Sequence, residues 1–226
     1  MNIEIRRALP EDAEVLAGIA IAAKGHCGVI GMSAAYLANH GDEIMTSYCD
    51  YVRAHPEDEF NRIYHDTQYG FPLSKDHLLF ERFMFEINQA GLSWITILKK
   101  ADNFRRAYNN FDIDRIASYG KQDVARLLSD AGIIRNRLKV NAAIENAKRI
   151  QALRSEYHSF KDWLHAHRSL TLDEWTKLFK QTFVFTGGEI VREFLVSTGY
   201  LAGAHEERCP IYKTVAALRP EWMRKD

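Results

Sequence analysis

The chain has 226 residues, of which 46% are hydrophobic and 27% charged, and its formal net charge at pH 7 is zero. This composition is typical of a globular protein and excludes a disordered chain. No run approaches the roughly 18 apolar residues of a membrane helix. The N-terminal "MNIEIRRALPEDAE" lacks the apolar stretch of a signal peptide, so we expect a cytoplasmic protein. Three widely spaced cysteines do not form a disulfide framework, which leaves their thiols for burial or for a metal.

The N-terminal segment differs in pattern from the rest. Residues 2–8 predict a short strand, and a helix is expected from Pro10 to about Ala23. This βα segment resembles the start of a GNAT-type acetyltransferase, but no glycine-rich acyl-CoA loop follows, so we predict no transferase activity. Residues 1–44 carry six acidic and three basic residues, a net charge of −3, which leaves +3 for the remainder. We divide the chain there, into an N-terminal extension and a mainly α-helical domain of residues 45–226.

The first long helical pattern of that domain is "KDHLLFERFMFEINQA", which Ser74 caps and Gly91 ends. Its apolar residues form one face, and Glu81 and Arg82 are expected to point away from it. Glu86 lies at the edge of the face. Because a carboxylate next to a core is unfavourable without a partner, Glu86 either turns to solvent or meets a partner.

Two further helical patterns follow. Ser93 is expected to cap "WITILKKADNFRRAYNN", with Trp94 in its first turn, where a tryptophan is commonly a core residue. The run "KQDVARLLSDAGIIRNRLKVNAAIENAKRIQAL" predicts a helix, a tight turn at Gly132 and a longer helix. Basic residues follow this turn: Arg135, Arg137 and Lys139. Such a helix–hairpin–helix suits a DNA phosphate, although a plain helical hairpin with a charged outer face fits equally well.

Near the C-terminus, "HEERC" places His205 and Cys209 four residues apart. The pair alone is a weak metal signal, but two cysteines and two histidines form a closed tetrahedral site. Cys49 and His65 are candidates for the other two ligands, and Cys27 with its neighbour His26 competes with them. A metal held this way would join the start of the domain to its end. With four protein ligands it would have no open position and would not activate water.

These motifs together carry a resemblance. The strings "QAGLSWITILKK" and "DAGIIRNR", with "YHDTQYGFP" and the closing "HEERC", resemble the 3-methyladenine DNA glycosylase I family over most of residues 45–212. The resemblance implies a helix–hairpin–helix DNA glycosylase fold containing one structural zinc ion. It also implies a base-excision repair hydrolase that removes 3-methyladenine from alkylated double-stranded DNA. The motif places no lysine for a lyase step, so we predict a monofunctional enzyme, and we expect a monomer. The implied zinc ligands are Cys49, His65, His205 and Cys209.

The resemblance also implies roles for individual residues. Tyr64 and Trp94 would stack on the excised base, and Glu86 would read it by hydrogen bonding and act as the catalytic residue. The DNA backbone would be held by Gly132, Ile133, Arg135, Arg137 and Lys139. No acid follows Gly132 before Glu145, which agrees with type I enzymes that rely on the reactivity of the substrate itself.

This chain departs from the family pattern at three positions near the stacking tyrosine. Gln68 and Tyr69 stand where the family has Glu-Trp, and Asn61 stands where a tyrosine is frequent. We expect these changes to alter the substrate range more than the reaction type. They leave open an alternative: a non-catalytic protein on the same fold that binds damaged DNA or the base.

Overall fold

Helices account for all the regular structure in the part of the chain that the computed structural model describes, residues 47–224. The predicted strand at residues 2–8, the helix after it and the division after residue 44 lie outside that part. The α-helices are α1 (Tyr48–Ala54), α2 (Glu59–Thr67), α3 (Asp76–Gln89), α4 (Trp94–Leu98), α5 (Ala101–Ala107), α6 (Ile113–Ala117), α7 (Lys121–Ser129), α8 (Arg137–Tyr157), α9 (Phe160–Ala166), α10 (Leu172–Thr182), α11 (Gly188–Ser197) and α12 (Pro210–Ala217). Short 3₁₀ turns cover Asn109–Phe111 and Glu221–Met223. Within the described residues, no helix has the length and apolar character needed to cross a membrane.

Helix α3 is buried on all sides, not along one face as the sequence pattern predicts. Every residue from Leu79 to Asn88 is buried, because α4, α6, α8, α9 and α11 all pack against this helix. The expectation that Glu81 and Arg82 point away from the core is therefore wrong. Their charges are paired instead: Glu81 Oε1 lies 2.7 Å from a guanidinium nitrogen of Arg105, and Arg82 donates to the Tyr64 hydroxyl at 2.8 Å. Such pairing reduces the free-energy cost of burying a charge.

The predicted helix that begins at Trp94 is broken into two. Helix α4 ends at Leu98, and α5 begins only at Ala101. Ser93 precedes α4, but its hydroxyl bonds to that of Thr96 at 2.7 Å and caps no backbone N–H. The chain then passes through three consecutive left-handed residues, Asn109–Phe111, with φ of 52°, 53° and 56°. The two asparagines suit this conformation, because their short polar side chains tolerate positive φ.

The predicted helix–turn–helix around Gly132 is present as α7, a short turn and α8. A Cβ added at Gly132 would lie 2.9 Å from Asp130 Oδ1 and 3.1 Å from the Asn103 Cβ, so a larger residue here would displace both side chains. The Gly132 N–H donates to Asp130 Oδ1 at 2.7 Å. The Asn136 side chain caps α8 by accepting from two N–H groups of its first turn.

Two hydrophobic clusters meet near α3. The larger one lies among α3, α8, α9, α10 and α11 and is rich in aromatic rings, among them Phe83, Phe160, Trp163, Phe179, Phe183 and Phe194. The smaller one consists of Tyr48, Tyr51, Tyr64, Tyr69, Val196 and Ala204. Trp94 packs against both clusters. The boundary between them is therefore where the predicted base-binding residues lie.

Candidate active site

Four side chains form a tight cluster of metal-ligand type: Cys49, His65, His205 and Cys209, each less than a tenth exposed. Their donor atoms all lie within 4.8 Å of one another. Cys49 Sγ is 3.3 Å from His65 Nε2 and 3.7 Å from His205 Nδ1, and Cys209 Sγ is 3.7 Å and 3.6 Å from the same two nitrogens. Tetrahedral zinc, with usual Zn–S and Zn–N bond lengths, separates sulfur from nitrogen by about 3.6 Å. The donor set therefore fits a four-coordinate metal. The competing pair, His26 and Cys27, lies outside the described residues.

The second nitrogen of each histidine ring is also engaged. His65 Nδ1 lies 2.7 Å from Asp66 Oδ1, and His205 Nε2 donates to the Tyr69 carbonyl at 2.8 Å. A carboxylate or carbonyl in this position fixes the tautomer that turns the other nitrogen towards a metal. Burial lowers the pKa of His205 to about 4, so its ring is neutral at physiological pH, as metal binding requires.

Gly70 joins this cluster to the rest of the site. Its φ is +78°, and an added Cβ would lie 2.5 Å from the Ala204 Cβ and 3.5 Å from the His205 ring. The Gly70 N–H donates to the Ser197 carbonyl at 2.9 Å, at the end of α11. Only glycine allows the segment after α2 to lie this close to both neighbours.

The structure brings the two predicted stacking residues together. The rings of Tyr64, on α2, and Trp94, at the start of α4, have centroids 5.0 Å apart at an angle of 61°. Tyr64 is buried, whereas Trp94 is half-buried. The Trp94 Nε1–H is itself buried and finds no acceptor among residues 47–224. A buried N–H donor without an acceptor is rare in protein interiors, and a bound ligand is one source of the missing acceptor.

Glu86 is buried beside this pair, one helical turn after Arg82 on α3. It is 5% exposed, and its carboxyl group makes no hydrogen bond to any described residue. Burial raises the pKa of Glu86 well above its ordinary value, and the charge of Glu193 raises it further, while Arg82 lowers it. Of the two alternatives for this residue, rotation into solvent is therefore wrong. The expected partner is not found among the described residues either, and a buried carboxyl group without a hydrogen-bond partner is suited to a ligand.

Two residues that the sequence pattern did not indicate, Arg82 and Glu193, complete the polar surroundings of Tyr64 and Tyr69. Arg82 donates to the Tyr64 hydroxyl, and its guanidinium also lies 4.8 Å from the centre of that ring. Glu193, on α11, is 6% exposed and accepts from the Tyr69 hydroxyl at 3.3 Å. The signal that could have found Glu193 is an acid inside the apolar run "EIVREFLV".

The positions that depart from the family pattern have definite places. Asn61 is buried, and its amide accepts from the Tyr48 hydroxyl and donates to Asp58, both at 2.7 Å. Tyr69 is fully buried, with its hydroxyl directed to Glu193. Gln68 is half-buried at the C-terminal end of α2. Asn61 is thus a polar anchor for α1 and lacks the aromatic face of a pocket wall.

Of the five predicted DNA-contact residues, Gly132 is half-buried in the turn, and the other four divide into an exposed and a buried pair. Arg135 and Arg137 are exposed, and neither forms an ion pair with a carboxylate of residues 47–224. Ile133 is 3% exposed and belongs to the large hydrophobic cluster. Lys139 is 5% exposed.

The prediction that Lys139 contacts DNA needs correction. Its ammonium donates to the carbonyls of Asn88 and Ala90 at 2.8 and 2.7 Å. These carbonyls end α3, where a cation complements the unpaired acceptors and the negative end of the helix dipole. Lys139 therefore joins α8 to the C-terminus of α3, just before the short segment that leads to Trp94 at the start of α4.

Comparison with known proteins agrees with this geometry. The sequence profile of the methyladenine glycosylase family matches residues 54–177. The chain is 34% identical over 168 residues to DNA-3-methyladenine glycosylase 1 of Escherichia coli K12, covering 66% of this chain and 89% of that protein. It is 33% identical over 185 residues to the DNA-3-methyladenine glycosylase of Haemophilus influenzae, covering 74% and 98%.

A solved structure of 3-methyladenine DNA glycosylase I from Staphylococcus aureus, determined for its recognition of 3-methyladenine, superposes with a TM-score of 0.64. It is 29% identical and covers 69% of this chain and 92% of that one. The comparisons give no support to the acetyltransferase likeness of residues 1–44. The profile match and the two bacterial relatives show that this chain belongs to the methyladenine glycosylase family.

Proposed function

We propose that this protein is a base-excision repair glycosylase that hydrolyses the N-glycosidic bond of 3-methyladenine in alkylated double-stranded DNA. The observation that carries the proposal is Glu86, a buried and unpaired carboxyl beside Tyr64 and Trp94. The relatives named as DNA-3-methyladenine glycosylases, and the Staphylococcus aureus enzyme studied for recognition of that base, support the choice of substrate.

The pocket suits a cationic base. Methylation at N3 leaves the adenine of the nucleotide positively charged and weakens its bond to the sugar, so the leaving group needs little assistance. The electron-rich faces of Tyr64 and Trp94 attract such a cation. Burial raises the pKa of Glu86 well above its ordinary value, and a cation beside the carboxyl group favours its ionised form. Neutral adenine offers no such compensation, so the pocket discriminates by charge.

The catalytic step follows from the same residues. The damaged nucleotide is flipped out of the duplex, which is easier than flipping a normally paired base. Water then attacks the anomeric carbon as the base departs, and the Glu86 carboxylate stabilises the developing positive charge. A lysine nucleophile would be required for strand cleavage. Lys139, beside α3, is occupied by two carbonyls, which supports a monofunctional enzyme.

For the metal cluster, we propose one structural zinc ion per chain, held by Cys49, His65, His205 and Cys209. The sulfur–nitrogen distances and the hydrogen bonds to the outer ring nitrogens support this choice. The ion would stabilise the joint between the first described helix and the segment after α11. Tyr64 immediately precedes His65, so the metal would also hold one wall of the base pocket in place.

For DNA contact, we propose the turn between α7 and α8, with Gly132, Arg135 and Arg137. The backbone N–H groups of Ile134 and Arg135 have no acceptor among residues 47–224, and the two arginine side chains are exposed. Unpaired N–H groups at the start of a long helix, together with arginines, suit a phosphate of the DNA backbone. We further propose that residues 45–226 form the glycosylase domain, that residues 1–44 are an extension to it, and that the enzyme acts as a cytoplasmic monomer.

The test is incubation of the protein with duplex DNA treated with a methylating agent. The expected result is free 3-methyladenine in solution, with strands that stay intact until alkali cleaves the abasic sites. Binding to methylated DNA without any base release would overturn the proposal and establish the non-catalytic alternative. Strand cleavage without alkali would refute the monofunctional mechanism.

A further inference from the structure

Helix α11 brings a second buried carboxyl group to the pocket. It packs against α3, and Arg82 on α3 donates to the carbonyl of Ser197 on α11 at 3.3 Å. Glu193 lies one turn before Ser197, as Arg82 lies one turn before Glu86. The Tyr69 hydroxyl donates to Glu193, and the Tyr69 ring lies 5.7 Å, centroid to centroid, from that of Tyr64. Arg82, one turn before Glu86, donates to the Tyr64 hydroxyl, so both acids border the buried group around Tyr64.

The Glu193 carboxyl is held in place from two sides. The Tyr69 hydroxyl donates to it at 3.3 Å, and the neighbouring Arg192 forms an ion pair with it. The Glu193 side chain is only 7% exposed. Since a buried acid is unfavourable even when it is paired, its presence here calls for a role beyond packing.

We propose that Glu193 is a positioning and specificity residue of the base pocket, which adds a second carboxyl group that acts on Glu86 and increases the preference for a cationic base. The inference rests on the proposed function, because it assigns Glu193 to the same pocket. Glu86 remains the acid that meets the base. Glu193 acts through it.

The electrostatics of the region agree with this role. Burial raises the pKa of Glu193 to about 7, while Arg192 and the Tyr69 hydroxyl lower it and Glu189 raises it. The charge of Glu193 in turn raises the pKa of Glu86, so an ionised Glu193 disfavours the ionised form of Glu86. The groups that interact with one or both acids come from α2, its C-terminal end, α3 and α11: Tyr64, Tyr69, Arg82, Glu86, Glu189, Arg192 and Glu193.

A cation in the pocket shifts the protonation equilibrium of both acids. A positive base next to Glu86 favours the ionised form of each carboxyl group. A neutral base leaves the like-charge repulsion uncompensated, so the pair stays partly protonated and attracts the base less. Two acids therefore give a larger difference in affinity between cationic and neutral bases than one acid does.

The experiment is the pH dependence of 3-methyladenine release from methylated DNA by the wild type and by Glu193→Gln. Removing the like charge lowers the pKa of Glu86, so the rise of activity with pH moves to lower pH. The ratio of the rate at pH 6 to the rate at pH 8 should increase by roughly threefold or more. The control is Glu156→Gln on α8, an exposed carboxylate that influences the pKa of neither Glu86 nor Glu193, so the expected change is small.

A second readout does not depend on activity. Carbon-13 NMR of glutamate carboxyls, with Glu86→Gln for assignment, should show a group in the wild type that titrates at about 7. In Glu193→Gln this group should be absent, and Glu86 should titrate at lower pH than in the wild type. An unchanged pH profile together with an unchanged Glu86 titration would overturn the proposal.

Two further measurements distinguish a failure of the proposal from a folding defect of the variant and from a failure of the proposed function. If Glu193→Gln does not fold, Tyr69→Phe keeps both acids and removes one hydrogen bond. The Glu193 titration should then move to higher pH, and no movement would contradict the role of Tyr69. If the wild type releases no base but the NMR titrations are coupled, the proposed function fails while the action of Glu193 on Glu86 stands.

Discussion

Replacing Lys139 with methionine tests whether this lysine holds the fold or contacts DNA. The substitution keeps a long side chain at a position that is 5% exposed but removes the ammonium that donates to Asn88 and Ala90. Each hydrogen bond from a charged donor contributes about 1.5–3 kcal/mol. Burial lowers the pKa of Lys139, which shows that the ammonium is partly desolvated, and methionine recovers that loss. We therefore expect the free energy of unfolding to fall by about 2–4 kcal/mol.

The assay is urea unfolding of Lys139→Met beside Arg137→Met, two residues earlier and exposed. The control should change the free energy of unfolding by less than about 0.5 kcal/mol but weaken DNA binding. Lys139→Met should lower the free energy of unfolding but leave the affinity for DNA unchanged, when the affinity is measured at a urea concentration well below the unfolding midpoint of this variant. The reasoning is refuted if Lys139→Met is as stable as the wild type, or if it weakens DNA binding as much as Arg137→Met does.

Three more predictions concern the metal, the DNA contact and the aromatic wall. Cys209→Ser should lower the metal content of purified protein from one zinc per chain to a small fraction and reduce the melting temperature; full zinc occupancy in this variant would exclude the cysteine as a ligand. Arg135→Ala should weaken binding to any duplex and reduce by about one the slope of log affinity against log salt concentration; an unchanged slope would remove this arginine from the DNA interface. Trp94→Ala should reduce the affinity for free 3-methyladenine in a calorimetric titration by roughly 1–3 kcal/mol; equal affinity would mean that the base stacks elsewhere.

Residue type, spacing and the family resemblance together selected the metal-ligand candidates. Cys49, His65, His205 and Cys209 lie in one cluster, and their role as zinc ligands stays a prediction. Tyr64 and Trp94 also come together as the family resemblance implies. The turn at Gly132 was predictable because a helical pattern, a glycine and a second helical pattern have a strong local signal.

The errors arose where tertiary contacts decide the outcome. Glu81 and Arg82 have a helical position typical of solvent, but neighbouring elements cover that side of α3 and supply partners for both charges. Lys139 belongs to a basic run, and only the position of the α3 carbonyls shows that it faces inward. Glu193 was missed for the same reason, since its interaction with Glu86 joins residues over 100 positions apart.

The central claim is that Glu86, in the pocket with Tyr64 and Trp94, acts in the excision of 3-methyladenine. The most direct measurement is the single-turnover rate of 3-methyladenine release from methylated duplex DNA, compared between the wild type and Glu86→Gln at equal zinc content. Glutamine keeps the shape of the side chain but cannot ionise beside the cationic base. The account predicts release by the wild type and a rate reduced by about 10²–10³ in Glu86→Gln. Equal rates for the two proteins would contradict it.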